Sequence, residues 1–381
     1  MTEKQMAKSV GFKYYNYVST VKTTILEKKG YLAGPYYYLN FRKISKVPVN
    51  RLLIFILFNK KYTYSHIIKL IKNIECWSFF YPLQESTFNE MIVSIYSTNH
   101  DKILKIMKYF KDQEIIYHYS VYELNGNLNT YNPKFHMPGS KENEETRYDI
   151  DSIQFNNDEL KPDFSEDELN QKYVKLSNLD TRLLMYLQSG FKNTELSKLM
   201  KHDAKIKDSN GDNPFVWGYN SWRYSYEKIK KNNLIKKFYI VYPLPKNLCS
   251  YFFMLIKGND LKETKMLASN VGANTRTLKS GNLVRSLNEH NKNEIYWCAH
   301  IRSHPIFMHK ISCLLDIPQV QEKNILHARS VSKHQNEKYP VPYMNYYIEQ
   351  SLSLENEYYD HKKQAVNYDY DKFYDKIKKQ V

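Results

Sequence analysis

The chain has 381 residues, a formal net charge of +16 and a pI near 9.3, giving room for two to four small domains and a charge suited to a polyanion. Part of the charge is a lysine excess, 47 against 9 arginines, that also follows from A/T-rich codons. Cys76, Cys249, Cys298 and Cys313 lack C-x-x-C spacing, which argues against a disulfide framework or zinc site; with no signal-peptide run and no stretch long enough to cross a bilayer, a cytoplasmic location is expected.

Residues 15–41 run from a Thr-rich helix through Lys28, Lys29 and Gly30 into an aromatic strand. A short basic helix ending on a residue fit for the left-handed conformation, followed by a strand, is the layout of a winged helix-turn-helix. Residues 3–10 match only its second helix, so residues 1–45 read as a truncated copy. Its reading helix buries Val18, Val21 and Ile25, or slips by one to favour Leu26, leaving Tyr17, Thr20, Lys22 and Thr24 outward and Lys13 at the turn.

Residues 46–124 then alternate in a clear rhythm. The apolar run 51–58 predicts a buried strand, and residues 64–74 a helix with Ile67, Ile68, Leu70, Ile71 and Ile74 at helical spacing. Strands follow at 76–83 and 88–96, then a helix capped by Asn99, then a strand at 115–124: β-α-β-β-α-β, the ferredoxin-like order. Residues 125–175 hold Pro133, Pro138 and Pro162, and their stretch 141–170 has eleven Asp/Glu against three Lys/Arg, which predicts an acidic linker.

The pattern returns at an offset of roughly two hundred residues. Residues 176–245 read as a second winged helix-turn-helix, with helices at 179–187 and 194–200, a Gly/Asn/Asp-rich insertion at 201–218, and a reading helix opening at Asn220 or Ser221. Trp222, Tyr226 and Ile229 should pack inward, leaving Arg223, Tyr224, Glu227, Lys228 and Lys231 outward. Arg223 is suited to a bidentate guanine contact and Lys228 and Lys231 to phosphate. Residues 246–335 repeat the ferredoxin-like order, with strands at 251–256, 275–287, 294–302 and 320–331 and helices at 260–271 and 304–315. Residues 336–381 read as a tail, with Tyr346, Tyr347 and Leu352 on one side of a terminal helix. The fold class expected is α+β: two winged helix-turn-helix units, the first truncated, and two ferredoxin-like βαββαβ units in tandem.

The stretches LSNLDTRLLMYLQSGFKNTELSKLM and YEKIKKNNLI in the second half, with EKQMAKSVGF and TVKTTILEKKGYLAGP in the first, resemble the Lrp/AsnC (feast/famine) regulators. That resemblance implies a transcriptional regulator binding double-stranded DNA. It also implies two ferredoxin-like domains paired sheet against sheet, here as an internal pseudo-dimer open to further homodimerisation. The loop positions that hold small effectors in that family are not recognisable here. No H-E-x-x-H, Gly-rich phosphate loop or G-x-S-x-G occurs, so no catalytic residue, metal or cofactor is expected and the chain reads as a non-enzyme. The alternatives are a tetrapyrrole-binding enzyme of the siroheme decarboxylase type, with His300 and Arg302 on one strand, or a Tyr-rich protein-interaction module.

Overall fold

The computed structural model describes residues 32–83, 89–129, 172–188, 196, 219–241, 250–274, 280–303, 305–328 and 358–381. The first reading helix, the insertion 201–218, most of the acidic segment, and Tyr346, Tyr347 and Leu352 lie outside the described residues.

Two ferredoxin-like units are present. The first runs β2 (Asn50–Phe58), α2 (Tyr64–Ile71), β3 (Trp77–Pro82), β4 (Asn89–Ser97), α3 (His100–Asp112) and β5 (Ile116–Asn129). The second runs β7 (Ser250–Gly258), α6 (Leu261–Asn274), β8 (Ser280–Ser286), β9 (Ile295–Ser303), α7 (Pro305–Leu314) and β10 (Val320–Ala328). Local chemistry sets the helix starts: Thr63 accepts from His66 N at 3.2 Å to open α2, and Asn99 accepts from Lys102 N at 3.2 Å to open α3.

The strands form one eight-stranded antiparallel sheet in the order β10-β7-β9-β8-β5-β2-β4-β3. Its alternating side chains divide into two kinds of core. On one face Leu52, Ile54, Ile56 and Phe58 pack with Ile67, Ile71, Ile106 and Phe110 beneath α2 and α3. Met254, Ile256, Trp297 and Ala299 do the same with Leu267 and Ile311 beneath α6 and α7. On the other face Leu53, Phe79, Tyr81, Ile92 and Tyr122 of the first unit share a cluster with Phe253, Leu255, Val284 and Tyr296 of the second. The sheet therefore curls, and its two halves face each other. Gly281, the second residue of β8, leaves room for the Trp297 indole, with which a Cβ there would collide.

The strands ahead of the two units, β1 (Leu32–Leu39) and β6 (Ile235–Val241), pair with each other, with Tyr37 opposite Lys237. Among the described residues, the short α1 (Phe41–Ile44), α4 (Asn178–Gln188) and α5 (Tyr219–Lys231) precede or separate the two ferredoxin-like units. Helix α5 ends on Asn233 at φ 50°, with Leu234 N bonded to Ile229 O at 3.1 Å.

Two segments differ from the sequence reading. Strand β5 continues through Gly126 and Asn127 to Asn129, where an acidic linker was expected, because β8 supplies a ladder for it. Residues 358–381 are built into the first unit. Hairpin strands β11 (Tyr359–Asp360) and β12 (Ala365–Val366) lead to α8 (Tyr370–Lys378), whose Phe373 and Ile377 are fully buried in the first core.

Candidate functional site

The layer between the sheet halves is aromatic, with charge at each end. At one end the Arg51 guanidinium lies 4.8 Å from the Phe79 ring centroid, and its Nε donates to buried Ser94 Oγ at 2.7 Å. Phe253 crosses from the second unit to meet Phe79 at 6.5 Å and Tyr81 at 4.8 Å. Burial pushes the nearby Cys298 thiol up to about 12, against the pull of the Arg51 charge. Beyond Cys298, β9 continues to His300 and Arg302, in register with Phe253 and Tyr251. The side chains of these two residues lie outside the described residues.

At the other end buried Tyr296 offers its hydroxyl to Glu294 Oε2 and Glu322 Oε2, each at 3.1 Å, while accepting from Asn291 Nδ2 at 2.8 Å. Lys257 Nζ sits 2.7 Å from the same Glu294 oxygen. Burial pushes the Tyr122 phenol up to about 12 and also raises Tyr296, so both stay protonated.

A second polar cluster ties the units together on the helix side of the sheet. Glu123 on β5 is the register partner of Arg285 on β8 and is only 5 % exposed. Arg285 Nε donates to its Oε2 at 3.0 Å, and Nη2 bonds the same oxygen. Asn50 Nδ2 donates to Oε1 at 2.6 Å, with His100 Nε2 3.0 Å from that atom. His100 Nδ1 in turn lies 3.2 Å from Ser97 Oγ. Ser, His and Glu thus stand in the order of a hydrolytic triad, but Ser97 is 0 % exposed and its Oγ already accepts from Asn99 N at 3.2 Å. No substrate reaches that hydroxyl, so the cluster is structural. Sequence reasoning sought a converging histidine and arginine at His300 and Arg302; it missed His100 and Arg285, which no motif marks.

The DNA-directed residues divide. Lys13, Tyr17, Thr20, Lys22 and Thr24 lie outside the described residues. Asn220, Ser221, Arg223, Tyr224 and Lys231 are exposed on α5, with Tyr224 74 % exposed. The outward placement of Lys228 is corrected: its Nζ bonds Asp180 Oδ2 at 2.6 Å and Lys175 O at 2.7 Å. Asp180 is 1 % exposed, and a buried carboxylate needs a cation, so the helix turns Lys228 toward α4 and buries Ser225 beside Ile229. Trp222 and Tyr226 are half-buried and stacked at 5.8 Å. Among the described residues no three metal-ligating side chains converge, and no helix is long and apolar enough to cross a membrane.

No protein-family model and no curated protein matches the chain. Among solved structures, the siroheme decarboxylase NirDL aligns at TM-score 0.47 and 10% identity over 99% of this chain and 92% of that one. Its complex with an iron-uroporphyrin III analogue aligns at 0.46 and 10% over 92% of each. A mutant chlorite dismutase from Candidatus Nitrospira defluvii aligns at 0.27 and 8% over 76% of this chain and 94% of that one. These matches are to enzymes, which overturns the expectation of a non-enzyme, and that expectation is withdrawn. At such scores the likeness does not carry an activity across.

The Glu123 cluster has a pH signature. The His100 bond, then Arg285, hold its carboxyl below the ordinary value of 4.5, while burial works against them. A depressed folded-state value means that this stabilisation is complete above about pH 4.5 and is lost as pH falls through the lower folded value. Glu123→Gln should therefore lower urea stability at pH 7, with the gap to the unaltered protein closing on acidification. A gap that stays constant down to pH 3 would show that the Glu123 charge does not hold the units together.

Proposed function

We propose that this protein is an enzyme acting on a carboxylate-bearing tetrapyrrole, in the manner of a siroheme decarboxylase, at the Arg51 end of the inter-sheet layer. The observation that supports this reading is the meeting there of Arg51 from one unit with the β9 stretch of the other that holds Cys298, His300 and Arg302. The chemistry suits such a substrate. The Arg51 guanidinium suits the side-chain carboxylates of such a substrate, and the rings of Phe79, Tyr81 and Phe253, buried against one another, form the apolar layer behind it. Loss of a carboxylate as carbon dioxide leaves a carbon that must take up a proton, so a positioned acid is required. Arg51 and Arg302 are assigned to carboxylate binding and His300 to proton delivery.

Titrating the full chain with iron-uroporphyrin and following the absorption band tests this. A saturable shift is expected, with Arg51→Ala weakening binding on the order of tenfold, the worth of one charge-assisted contact. No saturable spectral change, or equal affinity in the variant, would remove the assignment.

DNA binding is the second reading, favoured by Arg223, Tyr224, Lys230 and Lys231 standing exposed on the single helix α5. Replacing Arg223 and Lys231 with Ala should weaken duplex binding and flatten its salt dependence. Unchanged affinity across a salt series would show that α5 is not a reader.

A further inference from the structure

Arg51 brings a positive charge to the inter-sheet layer, and among the described residues no carboxylate answers it. A guanidinium drawn partly out of water is costly without a counter-charge. The nearest buried acid lies on the wrong side of the sheet. Side chains alternate along a strand, so Asn50 points to the helix side and binds Glu123 at 2.6 Å, while Arg51 points to the opposite face. Glu123 is in any case filled by Arg285 and His100. From the second unit the nearby group is Cys298. Burial pushes its thiol up to about 12, so near neutral pH it stays uncharged and supplies no anion.

The Arg51 head is nevertheless fixed. Strands β2, β4 and β3 lie side by side, and Ser94 is the register partner of Leu53 on one side and of Phe79 on the other. Its hydroxyl therefore stands on the inter-sheet face between those two residues, and Ser94 is 0 % exposed. Arg51 lies back over that position: Nε donates to Ser94 Oγ at 2.7 Å, and the head rests 4.8 Å from the Phe79 ring centroid. An arginine kept for solubility alone would send its head into water. This one is half-buried and bonded. A guanidinium is a rigid fork of donors, and with Nε taken its outer end, Nη1 and Nη2, is left over. That end matches the two oxygens of a carboxylate. Serine suits the anchoring role, because a hydroxyl accepts the Nε hydrogen without cancelling the charge, as an aspartate in its place would.

We infer that Ser94 is a positioning residue of the Arg51 site: it holds Nε so that the free end of the fork receives a substrate carboxylate through both Nη atoms. The inference rests on the proposed function for the identity of the substrate, and on the geometry around Ser94 for the carboxylate. Fixing one rotamer in advance lowers the ordering cost of binding, so the hydroxyl acts on affinity through Arg51 and touches no ligand itself.

The chain has 9 arginines, so the Arg51 Nε–H resonance can be resolved in the full-length protein and assigned through Arg51→Lys. That hydrogen should exchange slowly with water in the unaltered protein. Acetate should move the resonance saturably where chloride at the same ionic strength does not. Ser94→Ala should speed the exchange and weaken both acetate and iron-uroporphyrin, the latter followed by absorption, on the order of fivefold. In an Arg51→Ala background the same change should add nothing, a coupling that a merely structural serine would not reproduce. Fast exchange in the unaltered protein, a resonance that acetate leaves fixed, or equal affinity in Ser94→Ala would overturn the inference. The first two outcomes are read on the unaltered protein, so they decide even if Ser94→Ala fails to fold. A response to acetate with none to iron-uroporphyrin would remove the tetrapyrrole reading and leave the role of Ser94 standing. Iron-uroporphyrin bound equally well by Ser94→Ala would do the reverse.

Discussion

The architecture depends on the ladder between β5 and β8. Each ferredoxin-like unit has one apolar sheet face that its own helices do not cover, and an isolated unit would leave it in water. Pairing β5 with β8 merges the two sheets, and the curl of the merged sheet brings the faces together as one buried cluster. Charge pins this seam as well as backbone bonding. Glu123 and Arg285 face each other across it, and Asn50 and His100 hold the same carboxylate. Nearly buried and bonded on both oxygens, that carboxylate would be costly to leave without its partners. In the duplicated order the counterpart of the β5·β8 seam is β10 against β3, yet these are the two ends of the sheet and, among the described residues, carry no ladder between them. Among the described residues the duplication is thus unequal: one seam is laddered and ion-paired, whereas at the other Leu83 belongs to the shared cluster and Leu326 packs against it.

This constraint positions everything else. Because the halves face one another, Arg51 of the first unit stands near Cys298 of the second, two residues short of His300, although these positions are far apart in sequence. Pairing of β1 with β6 adds a second link outside the sheet. The C-terminal segment adds a third tie, within the first unit. Tyr370 OH accepts from Thr98 N at 2.8 Å beside the Ser97 and His100 positions, and Tyr359 OH donates to Ile44 O at 2.8 Å.

Much of this was legible in the sequence wherever a local signal existed. Periodicity over residues 51–58 and 64–74, the Asn99 cap, and the same order two hundred residues later mark both ferredoxin-like units, because apolar spacing and capping act over a few residues. What escaped reading depends on contacts between distant positions. Glu123 and Arg285 are 162 residues apart, and neither belongs to a motif. The extension of β5 through Asn125, Gly126 and Asn127 has linker composition and becomes strand only because β8 is there to pair with it. Lys228 sits on the polar side of a basic helix by pattern, yet Asp180, 48 residues earlier, draws it inward. The burial of Phe373 and Ile377 lay hidden in a Tyr-rich, mixed-charge tail, where the side that packs is fixed by α3 and the first core.

Amide hydrogen exchange along β8 tests the central claim most directly. A strand inside a sheet is bonded on both sides, whereas an edge strand is bonded on one and protects only every second amide. With β9 on one side and β5 on the other, consecutive amides from Asn282 to Arg285 should all exchange slowly, near the rate of global unfolding. Alternation of slow and fast exchange along those residues would mean that β8 is an edge and that the two units are not joined through it.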